Sequence, residues 1–191
     1  MEKEKQTQFF EEIMNWTLPG LTFYYRDCEI DDGILSKYFV GQIIRSQIFV
    51  DVSSIAGKLT KSCRYVIASS KAAAFYKLNP ETEKWKLHVI NANSYFKVLD
   101  IYKKQDGTQI CLLHIPEKGV EVFKNKIVIN IDNKNIEDVE KHIIEKARES
   151  FDKKMQLPVI IELEESEWIE RTSYPIGLDS ENNFVILRPE N

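Results

Sequence analysis

A chain of 191 residues with 43% hydrophobic and 29% charged residues has an ordinary globular composition, which excludes long disordered tracts and allows a sizeable core. Its net charge of -4 and its dispersed lysines and arginines argue against a nucleic-acid partner. No apolar run approaches the roughly 18 residues of a membrane-spanning helix, so no membrane association is expected.

Cysteine usage and the first residues bear on the cellular compartment. Cys28, Cys63 and Cys111 are widely spaced and form no CxxC pair, a pattern typical of reduced, buried thiols. Residues 1–10 mix acids and bases without an apolar stretch, so a secretory signal is not predicted. We therefore predict a cytoplasmic protein of bacterial type that holds neither a cofactor nor a metal.

The N-terminal half predicts one helix followed by several strands. Phe9, Ile13 and Trp16 recur at helical spacing, which favours an amphipathic helix over residues 8–16. Four runs rich in aromatic and β-branched residues predict strands: 21–26, 47–52, 64–68 and 85–90. Between these runs, helices are expected at 34–45 and 71–78, with a single long strand through 34–52 as the alternative for the first.

Residues 95–116 give the clearest pattern in the chain, two apolar runs joined by Asp106-Gly107. An Asp-Gly pair favours a tight hairpin turn, because glycine readily adopts the positive φ that such a turn requires. With these two residues as the loop, the predicted register pairs Leu99 with His114. Side-chain alternation then places Cys111 and His114 on opposite faces, which argues against a shared metal site or a nucleophile–base pair.

Asp100 is the acidic residue within this apolar hairpin, and the same register places it opposite Leu113. A buried carboxylate needs a hydrogen-bond partner or its pKa rises, and a raised pKa is typical of catalytic acids. The alternative is that a neighbouring lysine, arginine or backbone amide satisfies it. Asp100 is therefore a candidate catalytic residue, together with His88 and His114 in the predicted strands.

The C-terminal third predicts the longest helix and an acidic segment. Asn135 is a favourable N-cap, and an apolar stripe through Val139, Ile143 and Ala147 predicts a helix over 136–154. Strands are predicted at three apolar runs: 127–131, 159–163 and 184–187.

Acidic residues concentrate between 162 and 170, where they could bind a basic partner. Glu164 and Glu165 are candidate binding residues, with Trp168 and Tyr174 as aromatic contacts, because aromatic side chains concentrate in interface hot spots. The segment lacks the spacing of a calcium loop, and a solvated segment is the alternative interpretation.

The irregular order of helices and strands argues against a doubly wound parallel fold. We predict the α+β class, with a mostly antiparallel central sheet built around the 95–116 hairpin and with the N-terminal and long helices packed on it. Length favours a single domain over 1–191, with a subdivision near 117–126 as the alternative.

Known catalytic signatures are absent from the sequence, including the Walker loop, the dinucleotide fingerprint, the GxSxG elbow and HExxH. Their absence and the aromatic content favour a small cytosolic, non-catalytic interaction domain that binds another protein. Two alternatives stay open. One is a hydrolase-like enzyme with a dispersed site that includes Asp100 or a sheet-borne histidine, and the other is a small-ligand carrier with an apolar pocket.

Overall fold

A computed structural model describes residues 2–124, 136–179, 181, 183 and 184 of the chain. The strands in this part are β1 (Thr22–Cys28), β2 (Ile43–Ser46), β3 (Val50–Ser53), β4 (Cys63–Ser69), β5 (Leu87–Ile90), β6 (Ser94–Lys104) and β7 (Gly107–Ile115). The α-helices are α1 (Glu2–Thr17), α2 (Asp32–Leu35), α3 (Val120–Lys124), α4 (Ile136–Lys154) and α5 (Ser166–Thr172).

The strands form one sheet in the order β2-β6-β7-β4-β1-β3-β5. Neighbouring strands are antiparallel except for β4 and β7, which run parallel. The hairpin strands β6 and β7 lie inside this sheet, as their two apolar faces predicted. The predicted α+β class with a mostly antiparallel sheet is confirmed.

The sheet curls so that its two ends approach each other. β2 and β3 are five positions apart in the strand order, which would be about 24 Å in a flat sheet. The chain from Ser46 to Val50 can span at most about 14 Å. Ile44 of β2 and Val50 of β3 accordingly pack in one apolar cluster, which lies on the concave side, the inner face of the sheet.

Helices α1, α3 and α4 cover the opposite, outer face of the sheet. They contribute apolar side chains to one core with β1, β4, β6 and β7: Phe10, Ile13, Val122, Phe123, Ile143 and Ala147. The predicted packing of the N-terminal and long helices on the sheet is therefore confirmed. Within the described residues, no helix combines the length and the apolar character needed to cross a membrane.

The turn of the central hairpin differs by one residue from its prediction. Lys104 pairs with Gly107, so Gln105 and Asp106 form the turn and Gly107 belongs to β7. Gly107 has a φ of 143°, and a Cβ at this position would lie 2.5 Å from Cδ2 of Leu59. Glycine is needed here because of that close approach as well as its backbone conformation.

A β-bulge between Val98 and Asp100 shifts the hairpin register a second time. Asp100 pairs with Cys111 instead of Leu113, and His114 pairs with Phe96 instead of Leu99. Because the extra residue of the bulge is in β6, side-chain alternation along β7 is unchanged, and Cys111 and His114 still point to opposite faces.

Three segments differ in type from their predictions. Residues 34–45 hold only the end of the short helix α2 and most of β2, and 71–78 contain a single 3₁₀ turn, Phe75–Lys77. In the latter segment Ala73 exchanges two backbone hydrogen bonds with Val89 of β5, which competes with helix formation. The run 159–163 is not a strand and enters a 3₁₀ turn at Ile161–Glu164. The strand predicted at 127–131 lies outside the described residues, and so do residues 185–187 of the strand predicted at 184–187.

Candidate functional site

Arg26 and His88 lie in one row across the inner face of the sheet. β1 and β3 pair at Tyr25 and Ser53, and this register continued by one residue sets Arg26 opposite Val52, which pairs with His88 of β5. The two basic residues are therefore two strands apart, about 10 Å at the backbone.

His88 is held between two tyrosine rings. Its ring centroid lies 4.8 Å from that of Tyr24 and 5.4 Å from that of Tyr76, and the residue is 8% exposed. Nδ1 is 2.9 Å from the carbonyl oxygen of Lys86, and a carbonyl only accepts, so Nδ1 donates the proton. This bond leaves Nε2 as the nitrogen with a free lone pair.

Burial lowers the pKa of His88, and the positive charge of Lys77 lowers it further, against the opposing effect of the Lys86 carbonyl. Since the ordinary histidine pKa of 6.5 is already below neutrality, the imidazole is uncharged at pH 7. A neutral imidazole with a fixed tautomer can act as a general base.

Arg26 is a buried cation, 2% exposed, that forms no ion pair with any described residue. Its Nε donates to the Thr172 carbonyl oxygen at 3.3 Å, and its Nη2 donates to the carbonyl oxygen of Tyr174. The guanidinium also lies 5.1 Å from the centroid of the Tyr174 ring. Only dipoles and a ring face therefore compensate this charge.

The residues that cover Arg26 belong to a C-terminal strap, residues 172–178, which runs over the inner face. Further along this strap, the Ile176 carbonyl accepts a hydrogen bond of 2.7 Å from the Tyr38 hydroxyl. Gly177 lies so close to Ile44 of β2 that a Cβ would approach it to 2.9 Å. The strap therefore extends from β1 to β2 across the curled sheet.

His114 has a different environment on the same face. Its Nδ1 forms a hydrogen bond of 2.9 Å with Oγ of Ser69, which also accepts from the Lys71 amide. The ring packs against Phe96 and Trp16, and burial, aided by Lys71, lowers its pKa to about 4. Ser69 is 0% exposed, so a substrate cannot reach its hydroxyl, and the pair is structural.

Asp100 lies on the outer face, away from both histidines. Its carboxylate accepts two hydrogen bonds of 2.7 Å from Nε and Nη2 of Arg148 in α4. This arginine is the satisfying partner that the sequence left open as an alternative. The structure therefore does not bring Asp100, His88 and His114 together in one site.

The acidic segment is paired within the chain. Glu164 forms an ion pair of 2.9 Å with Lys61, and Glu165 forms one with Lys84. Trp168 is buried against Trp85, with 5.8 Å between the ring centroids, so it is a core residue. Tyr174 is the exposed member of the predicted binding set, at 44%, and its contact is with Arg26. In the described part of the chain, no group of acidic, histidine and cysteine side chains could hold a metal ion.

Comparisons with known proteins give no match to a family model and none to a curated protein. Several solved structures share part of the fold. One is the Vis toxin, an ADP-ribosyltransferase from Vibrio splendidus, with 13% identity over 53% of this chain and 51% of that chain and a TM-score of 0.42. Another is the type III effector XopAI from Xanthomonas axonopodis pv. citri, with 11% identity over 53% and 44% of the two chains and a TM-score of 0.45.

A third is Exoenzyme S from Pseudomonas aeruginosa, in complex with human 14-3-3 protein beta and bound to carba-NAD. It shares 12% identity over 56% of this chain and 53% of that chain, with a TM-score of 0.42. The alignments thus span about half of each solved chain. This low similarity assigns neither an activity nor catalytic residues to the present chain.

The predicted function, a non-catalytic domain that binds another protein, is contradicted by these comparisons. The solved structures found are described as ADP-ribosyltransferases and as a type III effector. The hydrolase and ligand-carrier alternatives belong to the same contradicted interpretation and gain no support from these structures.

Proposed function

We propose that the chain is an enzyme that binds an anionic, nucleotide-like substrate on the inner face and uses His88 as a general base in group transfer. The observation that supports this proposal is the placement of Arg26 and His88 on one face of the curled sheet. Arg26 is a buried cation that has no carboxylate partner among the described residues, and His88 is a neutral imidazole.

Arg26 would hold a phosphate group of the substrate. A guanidinium presents several N–H donors in one plane and matches two phosphate oxygens, with a stronger bond than a neutral carbonyl gives. The carbonyls of Thr172 and Tyr174 occupy these donors in the present arrangement, so the strap must withdraw from Arg26 when substrate binds.

His88 would accept the proton of the attacking group through Nε2. The spacing of about 10 Å between the backbones of Arg26 and His88 suits a substrate whose phosphate lies apart from its reacting bond. The rings of Tyr24 and Tyr76 hold the imidazole in place from two sides, which keeps Nε2 oriented for proton transfer.

NAD is a suitable first probe, because it joins two phosphates to flat rings and because Exoenzyme S binds the analogue carba-NAD. In an assay of NAD turnover, His88→Gln should lower the rate roughly 100- to 10,000-fold while NAD binding persists. Arg26→Gln should instead weaken NAD binding. His142→Gln is the matched control, since His142 is exposed on α4. Equal turnover in the His88 and His142 variants would refute the role of His88.

We also propose a cytoplasmic site of action and a protein as the acceptor or partner. All three cysteines are free and buried, which suits a reducing compartment. Exposed apolar side chains on both sides of β2, among them Phe39 at 61% and Phe49 at 59%, offer a contact surface for a protein.

A further inference from the structure

A groove of about 400 Å³ opens on the outer side of the molecule, between the start of β1 and the end of α4. Its walls combine two apolar side chains with a hydroxyl and three ammonium groups: Phe23, Leu157, Ser150, Lys146, Lys153 and Lys154. This volume lies within the range of small-molecule sites, about 300–1,000 Å³.

The groove carries an excess of positive charge in a protein of net charge -4. Glu149 is the single carboxylate in its lining, and it pairs with Lys146 at 3.0 Å. Neither Lys153 nor Lys154 forms an ion pair with a residue in the described ranges. Lys153 interacts with the charge of Glu149, whereas Lys154 has no carboxylate partner among the described residues, so the three lysines of the lining outweigh its one carboxylate.

Lys154 is the more constrained of the two. Its Nζ lies 4.6 Å from the centroid of the Tyr25 ring and donates to the Ala56 carbonyl oxygen at 3.3 Å. Burial, with the nearby charge of Arg64, lowers its pKa. An anion beside Nζ would offset both effects, because opposite charge favours the ionised lysine.

Arg64 lies near Lys154 without lining the groove. It is 1% exposed, faces the same Tyr25 ring at 6.0 Å and pairs through Nε and Nη2 with Asp27. Its positive charge contributes to the lowered pKa of Lys154. A bound anion would therefore relieve repulsion between two neighbouring cations.

We propose that this groove binds a phosphorylated compound that also carries a flat aromatic ring. Lys153 and Lys154 hold the phosphate, and Phe23 and Leu157 contact the ring. The site lies on the outer side of the sheet, so it is distinct from the inner-face centre around Arg26 and His88. Nucleoside monophosphates and phosphorylated tyrosine share this chemistry, and separate ligands distinguish them.

The test is calorimetric titration of the protein with AMP, O-phosphotyrosine, adenosine and inorganic phosphate. AMP or O-phosphotyrosine should bind, and the one that binds shows whether the aromatic ring of the ligand is a nucleobase or a tyrosine ring. Adenosine should not bind measurably, because it lacks the charge that pairs with the lysines. Raising the salt concentration should weaken the binding, since the ammonium groups are near the surface.

Lys154→Met keeps the apolar stem and removes the charge, and it should weaken binding roughly 10- to 100-fold. Lys103→Met is the matched control, an exposed lysine of β6 outside the groove, and should bind like the parent protein. Phe23→Leu, a second variant, should weaken binding of the ring-bearing ligand but not of inorganic phosphate.

Three results would overturn the proposal. The first is that neither AMP nor O-phosphotyrosine binds, and the second is that Lys154→Met binds as tightly as Lys103→Met. The third is that Arg26→Gln abolishes AMP binding while Lys154→Met retains it, which would place the ligand on the inner face. Equal NAD turnover in the His88 and His142 variants would refute the role of His88 and leave the groove proposal intact, so the two proposals fail separately.

Discussion

The two faces of the sheet differ in the partners of their buried charged and polar side chains. Among the described residues, three ion pairs with a buried member join neighbouring elements on the outer face: Lys97–Glu140, Asp100–Arg148 and Arg64–Asp27. On the inner face, Arg26 and His88 contact carbonyl oxygens and aromatic rings instead. The charges of an ion pair within the protein already neutralise each other, so the outer pairs are structural. The inner basic groups lack such partners and are the functional candidates.

Breaking the most buried outer pair should have the largest effect on stability. The side chains of Lys97 and Glu140 are 4% and 13% exposed, and their charged atoms lie 2.6 Å apart. Glu140→Gln leaves the ammonium of Lys97 buried without a counter-charge, which should lower the free energy of unfolding by about 3–5 kcal/mol.

Denaturant titration measures this loss. Glu149→Gln removes a carboxylate from the same helix but from an exposed pair with Lys146, so it should change stability little. Similar unfolding midpoints for the two variants would contradict a structural role for the Lys97–Glu140 pair.

The free energy of unfolding should depend on pH because burial disfavours the charged form of His114. The folded protein holds its pKa at about 4, below the ordinary value of 6.5, because burial disfavours the charged ring. Between these pH values the unfolded chain binds the proton and the folded chain does not. The contribution of His114 to the free energy of unfolding is therefore fully present above pH 6.5. It decreases by about 3 kcal/mol as the pH falls towards 4.

Unfolding free energies measured from pH 4 to pH 7 test this expectation. In His114→Gln the curve should be flatter over that range, whatever the stability of the variant at neutral pH. Curves of equal slope for the parent protein and the variant would show that His114 is already charged in the folded state.

The strap contact at Arg26 should have the smallest effect. The Tyr174 ring is 44% exposed and contacts the guanidinium through its face, so Tyr174→Leu should cost about 0.5–1 kcal/mol. The carbonyl contacts of Arg26 persist in this variant because they come from the backbone. Thermal unfolding measures the change, and a loss as large as that of Glu140→Gln would mean that the strap is a structural part of the inner face.

Local sequence patterns predicted the elements whose periodicity and capping agree with their packing. β1, β4, the central hairpin and α4 all lie within a few residues of their predicted positions. The hairpin register was wrong because the position of Gly107 depends on contact with Leu59, and the bulge before Asp100 leaves no trace in side-chain alternation. The β-branched run at 159–163 has strand propensity, but it pairs with no strand of the described part of the chain.

The candidate site was predicted only in part. The sequence singled out His88, but the tyrosines that enclose it come from β1 and from the segment before Asn79, far apart along the chain. Arg26 was missed, although one signal was present, a single arginine at an inward position of an aromatic strand. The Arg148 partner of Asp100 lies 48 residues away, a pairing that composition and spacing do not encode.

The most direct test of the inner-face centre is nitrogen NMR of the His88 imidazole, recorded at pH 7 with and without NAD. We expect a neutral ring with the proton on Nδ1 in the free protein, because Nδ1 donates to the Lys86 carbonyl. We also expect NAD to shift the Nε2 resonance of His88 and the guanidinium resonances of Arg26. A charged His88 in the free protein, or NAD-induced shifts confined to the outer face, would contradict these expectations.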